Sequence, residues 1–498
     1  MTGVQGEATG GNLALLRDAA VDQLIGNGMI MSKPVEIAMR TVPRHLFIPE
    51  ASPEDAYDPF RAFVTKRDTG GNALSSVSDM HVQSWMLEHA GIQPGMNVLE
   101  VGSGGYNAAL LAELTGPDGN VTTVDIDEWV AGRTSRFLGQ AGYERVNVVL
   151  ADAEHGVPGH APYDAVLVTA GCWDIPPAWT GQLAAHGRLV TALRFLGLQR
   201  VIAFEKAHGH LASVDSSQFG FVPVQGEGAH QARLLVMRDG EITLRYDDDY
   251  PADPRLLQGA FSTPRAQAWS GTMIGPHDLL DTMQVWLGTV LPGFCTLLLD
   301  KDKDTGVVTT PPKRNFTHAT VDGATLAYIT WRPAEENGEK ASELGAHAYG
   351  PNAQQLTDEI AAHLQTWATD IRHRARPHYR LYPARAPGDA LNLPVGTSRV
   401  IGKPRSCLTI SWPQTAGAAD GQVTPPIPAG ITTQLGNVIT MPEDTLLLDR
   451  PADLEDDFAL DVRVLVTYAP ASRSDCPTDD GCGSTCASAC SSNYDIPA

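Results

Sequence analysis

The stretch Val98-Leu99-Glu100-Val101-Gly102-Ser103-Gly104-Gly105-Tyr106 constrains this chain more than any other. Mostly apolar residues run straight into a glycine-rich turn, and residues 107–114 read as the start of a helix. A buried parallel strand, a tight turn and a helix N-terminus together make a ligand cleft at the end of a sheet. The glycines let backbone approach a ligand where a Cβ would stand in the way. The next apolar run, Val121-Thr122-Thr123-Val124, closes on Asp125. That spacing of about 20 residues suits a carboxylate gripping a ribose diol. Turn and carboxylate together predict an adenosine-containing cofactor. The turn lacks the spacing G-x-G-x-x-G, which disfavours a dinucleotide, and lacks the Lys-Ser/Thr ending of a phosphate loop.

Two further strands extend the pattern. Val146-Asn147-Val148-Val149-Leu150-Ala151 closes on Asp152, placed with Ala153 to meet an adenine, and residues 163–171 run through Thr169-Ala170-Gly171 to the cleft edge. This is the layout of an S-adenosylmethionine cleft. Asp127 competes with Asp125 for the ribose, or is a solvated loop charge.

On these motifs the first ~200 residues resemble the protein L-isoaspartate O-methyltransferases. Leu24-Ile25-Gly26-Asn27-Gly28 through Val42-Pro43-Arg44-His45-Leu46-Phe47-Ile48-Pro49 looks like the helical entry of that family. Ser76-Val77-Ser78-Asp79-Met80-His81 resembles its substrate-side loop, with Met80 where the family usually has Pro, and the glycine turn is one residue shorter than the family's. The resemblance implies a Rossmann-like, doubly wound class I fold that uses S-adenosylmethionine. It also implies cofactor contacts from Gly102, Ser103, Gly104, Asp125, Asp152 and Ala153. Ser78, on the loop's serine position, would hydrogen-bond the attacking carboxylate. Ser76 is the second choice, and His81 matches a histidine of some relatives.

The C-terminus carries the second signal. Of seven cysteines, Cys476, Cys482, Cys486 and Cys490 crowd the end of the chain among serines and threonines. Their spacing, without a C-x2-C pair, fits a zinc site poorly. An acidic segment, Asp453-Leu454-Glu455-Asp456-Asp457-Phe458-Ala459-Leu460-Asp461, lies upstream. Its Phe458-Ala459-Leu460-Asp461 run is similar to the leader signature of the FxLD lanthipeptides, and the Cys/Ser/Thr-rich end resembles a core peptide. The chain thus looks like the isoaspartate-type methyltransferase of an FxLD system with its precursor attached.

Asp479-Asp480-Gly481 gives such an enzyme something to do. Asp before Gly is the arrangement most prone to succinimide formation, because Gly has no side chain to hinder attack by its amide nitrogen. Methylating Asp480 creates a leaving group; loss of methanol then closes the succinimide, which hydrolyses largely to isoaspartate. Asp475 and Asp479 are the hindered alternatives. A carboxylate with a reference pKa near 3.9 is already ionised at neutral pH, so no strong base is required. Alignment of the reacting atoms is worth on the order of 7–11 kcal/mol. Repair of isoaspartate in general proteins and a non-catalytic precursor-binding scaffold are the competing readings.

Length and charge bound the rest. At 498 residues the chain is too long for one core. We expect a methyltransferase domain over 1–215, an accessory α+β substrate-recognition domain over 216–413 that binds the cyclised peptide, completes the fold or makes a homodimer, a linker over 414–440, and a leader and core over 441–498. Within 216–413, Val307-Val308-Thr309-Thr310, Leu326-Ala327-Tyr328-Ile329-Thr330-Trp331 and Leu408-Thr409-Ile410-Ser411-Trp412 read as strands, and 353–373 as a long helix on Leu356, Ile360, Leu364 and Trp367. A net charge of −22 argues against a nucleic-acid partner. No apolar run long enough for a membrane span exists, and the start does not read as a signal peptide, so the expected location is the cytoplasm and the expected partner is the lanthipeptide core peptide, as the chain's own tail or a separate copy.

Overall fold

The computed structural model describes residues 4–413, apart from 103, 276–277, 311–313, 337, 387–390 and 392–396, together with 463–465. The helical entry is α1 (Val4–Gly26), α2 (Lys33–Thr41) and the short α3 (Pro53–Ala56). Ser32 and Ser52 cap the last two, each accepting a backbone N–H. A hairpin follows, β1 (Phe63–Arg67) and β2 (Ala73–Val77), then α4 (Met80–Ala90), capped by Asp79.

The chain next lays down β3 (Asn97–Val101), α5 (Tyr106–Thr115), β4 (Asn120–Asp125), α6 (Glu128–Gln140), β5 (Asn147–Leu150), β6 (Tyr163–Cys172), α7 (Pro177–Gln182) and β7 (Leu183–Phe195). These five strands are parallel, in the order β5-β4-β3-β6-β7. The order reverses beside β3, which places the cleft outside the carboxyl ends of β3 and β4. Both sheet faces are buried. Val98, Ala165 and Leu167 enter one core with α4 and α5, while Leu99, Val166 and Val168 enter another. That two-sided burial is why these strands read as apolar runs without polar alternation.

β8 (Leu198–Ala207) and β9 (His210–Ser217) continue the sheet antiparallel. A second sheet, antiparallel throughout, is built from β10 (Arg233–Met237), β11 (Ile242–Tyr246), β12 (Ala266–Ile274), β13 (Phe294–Leu299), β14 (Phe316–Asp322), β15 (Thr325–Glu336) and β16 (Glu339–Tyr349). α8 (Asp281–Val290) and α9 (Ala353–Thr366) pack between the sheets. On α9, Leu356, Ile360 and Leu364 are buried, as their spacing predicts, in the core that also holds Leu99 and Val166. The two sheets therefore share one hydrophobic interior.

The chain then returns to the first sheet. β17 (His378–Pro383) pairs with β9, and β19 (Ser406–Ser411) and β18 (Ser398–Gly402) extend it to ten strands. The expected strand at Val307-Val308-Thr309-Thr310 is absent. Side chains hold that segment instead: Tyr328 and Tyr349 donate their hydroxyls to the Val307 carbonyl oxygen at 3.4 and 2.7 Å. Finally β20 (Arg463–Leu465) lies antiparallel on β10, at the end of the second sheet. The other residues of 414–498, with Asp480, the four tail cysteines and the Phe458-Ala459-Leu460-Asp461 run, lie outside the described residues.

Candidate active site

The site grows from the end of β3. Gly102 has φ +86°, and a Cβ on it would stand 3.0 Å from Thr169 Oγ1. The turn is fixed from the next strand, because the Thr169 hydroxyl reaches the carbonyls of Val101 at 3.0 Å and Gly102 at 3.2 Å. Gly105, at φ +81°, opens α5 against the Phe47 ring. The uncapped amides of α5 and the helix dipole thus face the cleft, favouring a negatively charged group there. Ser103 lies outside the described residues.

Beneath the turn, Glu100 is wholly buried. Its carboxylate accepts from Thr123 Oγ1 at 2.6 Å and Asn107 Nδ2 at 2.9 Å, and burial raises its pKa to about 7. It braces β3, β4 and the first turn of α5 against one another.

The cleft is lined by Leu74, Ser75 and Ser76 of β2, Val101, Gly102 and Gly104 of the turn, and Val124 to Asp127. Val130, Ala153, Thr169, Ala170 and residues 222–225 complete it. Asp125 Oδ1 accepts the Asp127 amide at 2.8 Å. Asp127 caps α6 through the amides of Trp129 and Val130 and ion-pairs with Lys66 of β1, so the hairpin is tied to the cleft rim. Apolar walls around Asp125, with Asp127 tied to Lys66 at the rim, and an open helix N-terminus fit an adenosine carrying a carboxylate-bearing side chain.

Of the residues expected from the sequence, Gly102, Gly104, Asp125, Ala153 and Ser76 meet in this cleft. Ser78, Asp152 and His81 are not part of its lining. Ser78 falls between β2 and the cap of α4. Asp152 holds the chain instead: Oδ1 accepts the Glu154 amide at 2.9 Å and Oδ2 the Glu227 amide at 2.8 Å. His81 packs edge-on between Phe60 and Phe219, with ring centroids at 5.5 and 5.0 Å, and burial lowers its pKa to about 4. It is a neutral ring in an aromatic cluster.

The sequence reading missed the strap over the cleft. Gly171 N–H donates to the Val222 carbonyl at 2.8 Å, Val224 N–H donates to the Gly171 carbonyl at 3.0 Å, and Gln225 Nε2 reaches the Leu74 carbonyl at 3.4 Å. Residues 222–225 thus bridge β6 and the hairpin. Pro223 and the two glycines at 226 and 228 are the sole local trace of this, and they read equally well as an ordinary loop. Asp79, beside Ser78, caps α4 by accepting the Val82 amide at 2.8 Å, and burial raises its pKa to about 6.

Residues 16–229 match the family described as Protein-L-isoaspartate(D-aspartate) O-methyltransferase (PCMT). The chain is 36% identical over 208 residues to a protein-L-isoaspartate O-methyltransferase of Methanococcus maripaludis strain C7, covering 42% of this chain and 94% of that one. It is 38% identical over 218 residues to that of Methanopyrus kandleri, covering 43% and 93%. The chain belongs to the protein-L-isoaspartate O-methyltransferase family. A solved protein-L-isoaspartate O-methyltransferase aligns over 73% of this chain and 96% of its own at 20% identity, with a TM-score of 0.41. The expected fold stands: a Rossmann-like methyltransferase sheet with a strand-rich C-terminal addition. S-Adenosylmethionine is the cofactor that goes with this family, and the cleft suits it. Among the described residues no helix is long and apolar enough to cross a membrane.

Proposed function

We propose that this chain esterifies an aspartate side chain in a peptide, and that the peptide is its own C-terminal segment or a separate copy of it, a lanthipeptide precursor. The observation that carries the reading is Ser76. A hydroxyl of the peptide-facing hairpin lies in the same cleft as Gly104 and Asp125. S-Adenosylmethionine, when bound, supplies a methyl group on a sulfonium that any nearby carboxylate oxygen can take. The protein's part is positional. Asp125 accepts from the ribose hydroxyls, Ala153 lies against the adenine, and the amides opening α5 receive the carboxylate of the methionine portion. Ser76 donates to the incoming aspartyl carboxylate, with Ser78, two residues further on and just past the hairpin, as the alternative donor. The strap at 222–225 keeps water from the far wall.

Asp480 suits the role because Gly481 follows it. Once Asp480 is an ester, the Gly481 nitrogen adds to its side-chain carbonyl, loses its proton and expels methanol, leaving a succinimide that water opens mainly to isoaspartate. The names of the family relatives support a second reading, methylation of isoaspartate already present in damaged proteins. Mass spectrometry of the full chain with cofactor separates the two. Mass gain of a methyl on the tail followed by net loss of water, absent in Asp480→Asn, supports the first reading. Transfer to isoaspartyl test peptides alone overturns it in favour of repair.

A further inference from the structure

We propose that the outer edge of β10 is a docking site for the chain's own segment Arg463–Leu465, held there by backbone pairing, so that the residues after it are delivered to the cleft. Leu465, Val464 and Arg463 lie opposite Leu234, Leu235 and Val236 in antiparallel register. Without them β10 ends the second sheet and presents a row of unpaired N–H and C=O groups. An added strand satisfies that row, and its affinity comes from main-chain hydrogen bonds instead of side-chain identity. The β10 side chains are already committed. Leu235 and Met237 are buried in the core beneath, and Arg233 stacks on the Tyr250 ring at 3.8 Å. The edge therefore has its backbone to offer.

Docking changes the reach of the substrate. This consequence rests on the reading that the tail is methylated. In sequence, Asp480 lies 67 residues after Pro413 and 15 after Leu465. Fifteen residues extend to about 50 Å at most, comparable with the width of a body whose radius of gyration is about 22 Å. Effective concentration falls roughly as the −3/2 power of tether length, so anchoring at β10 raises it about tenfold. The number of residues between anchor and cleft also selects which aspartate arrives.

The test uses the full chain with Val464→Pro, which removes one strand amide and bends the segment, and Val464→Ala, which keeps the backbone intact. Hydrogen–deuterium exchange is read at residues 234–236, and tail ester formation and transfer to a short peptide lacking 455–470 are followed separately. The expected result is at least tenfold faster exchange at the β10 edge in Val464→Pro, about tenfold slower tail esterification, unchanged transfer to the short peptide, and wild-type behaviour in Val464→Ala. Unchanged exchange in Val464→Pro overturns the docking site. Faster exchange with unchanged tail esterification overturns its role in delivery. Protection that vanishes on dilution overturns the chain's own segment as occupant in favour of a second copy. Faster exchange in a protein whose wild-type tail is never esterified upholds the docking site and overturns the substrate reading instead.

Discussion

Gly104 lies against Ser76: a Cβ on the glycine would stand 3.4 Å from the Ser76 carbonyl oxygen and 3.0 Å from Val77 Cγ2. The cofactor turn and the hairpin therefore pack closely, with only the Val77 side chain and the Ser76–Val77 backbone against the glycine. Gly104 has no left-handed φ, so alanine is sterically open to it except at this contact. Gly104→Ala should leave thermal stability within about 1 kcal/mol while pushing the hairpin away from the turn. Steady-state kinetics should show kcat/KM falling at least about tenfold, the sensitivity expected of a reaction that depends on alignment.

Ser76 and Ser78 separate by position. Ser76→Ala should lower kcat about tenfold by removing one hydrogen bond to the attacking carboxylate, and Ser78→Ala should stay within about threefold. Parallel kinetics on the two variants decide between them, and the reverse order would move the carboxylate toward the mouth of α4.

Asp125→Ala should weaken binding of S-adenosylhomocysteine roughly 10- to 100-fold, the range for hydrogen bonds to a charged group. Calorimetric titration measures it. A loss of that size with Asp152→Ala would instead mean that the tie from Asp152 to the Glu227 amide shapes the adenine end of the cleft.

Glu100 sets a pH dependence. Its folded pKa is raised from 4.5 to about 7 by burial, so between those values the folded chain binds more protons than the unfolded one. Its contribution is most favourable below about 4.5 and is lost as pH rises through about 7. Glu100→Gln should remove that loss, since an amide does not ionise and its oxygen can still accept from Thr123 Oγ1. The variant should melt higher than wild type at pH 8, with the gap closing toward pH 5; equal melting temperatures at pH 8 would count against it.

Arg194 and Asp247 form a buried ion pair that joins β7 to the segment after β11, with the Asp247 side chain wholly enclosed. Arg194→Met should cost about 3–5 kcal/mol by leaving that carboxylate unpaired. Chemical denaturation measures the loss, and an effect below 1 kcal/mol would show that neighbouring cations take over.

The cleft was legible in the sequence because parallel strands announce themselves locally. Val98 to Val101 and Val121 to Val124 are mostly apolar and buried on both faces, and Gly102 and Asp125 follow at the points where such strands end. Asp152 looked the same from its position, yet its oxygens serve two backbone amides, a fact set by the strap at 222–227 that only the fold reveals. Leu408 to Trp412 carried a strand signal that named no partner, and the strands at 378–383 and 398–402 were not read from the sequence. An antiparallel edge pairs through backbone, so nothing in Tyr379 or Leu381 says that β17 will meet β9 across 160 residues of chain. Val307 and Val308 show the converse: β-branched residues held by tyrosine hydroxyls, with no strand to join.

The order in which the ten-stranded sheet is completed has a cost during synthesis. β9 emerges from the ribosome near residue 217, but β17, the strand that pairs with its open edge, ends at residue 383. At 5–20 residues per second, that edge waits roughly 8–33 s for its neighbour. Throughout that interval the nascent chain offers an open strand to any other polypeptide nearby, so its yield in a cell should track the supply of ribosome-associated chaperones more closely than its finished stability would suggest.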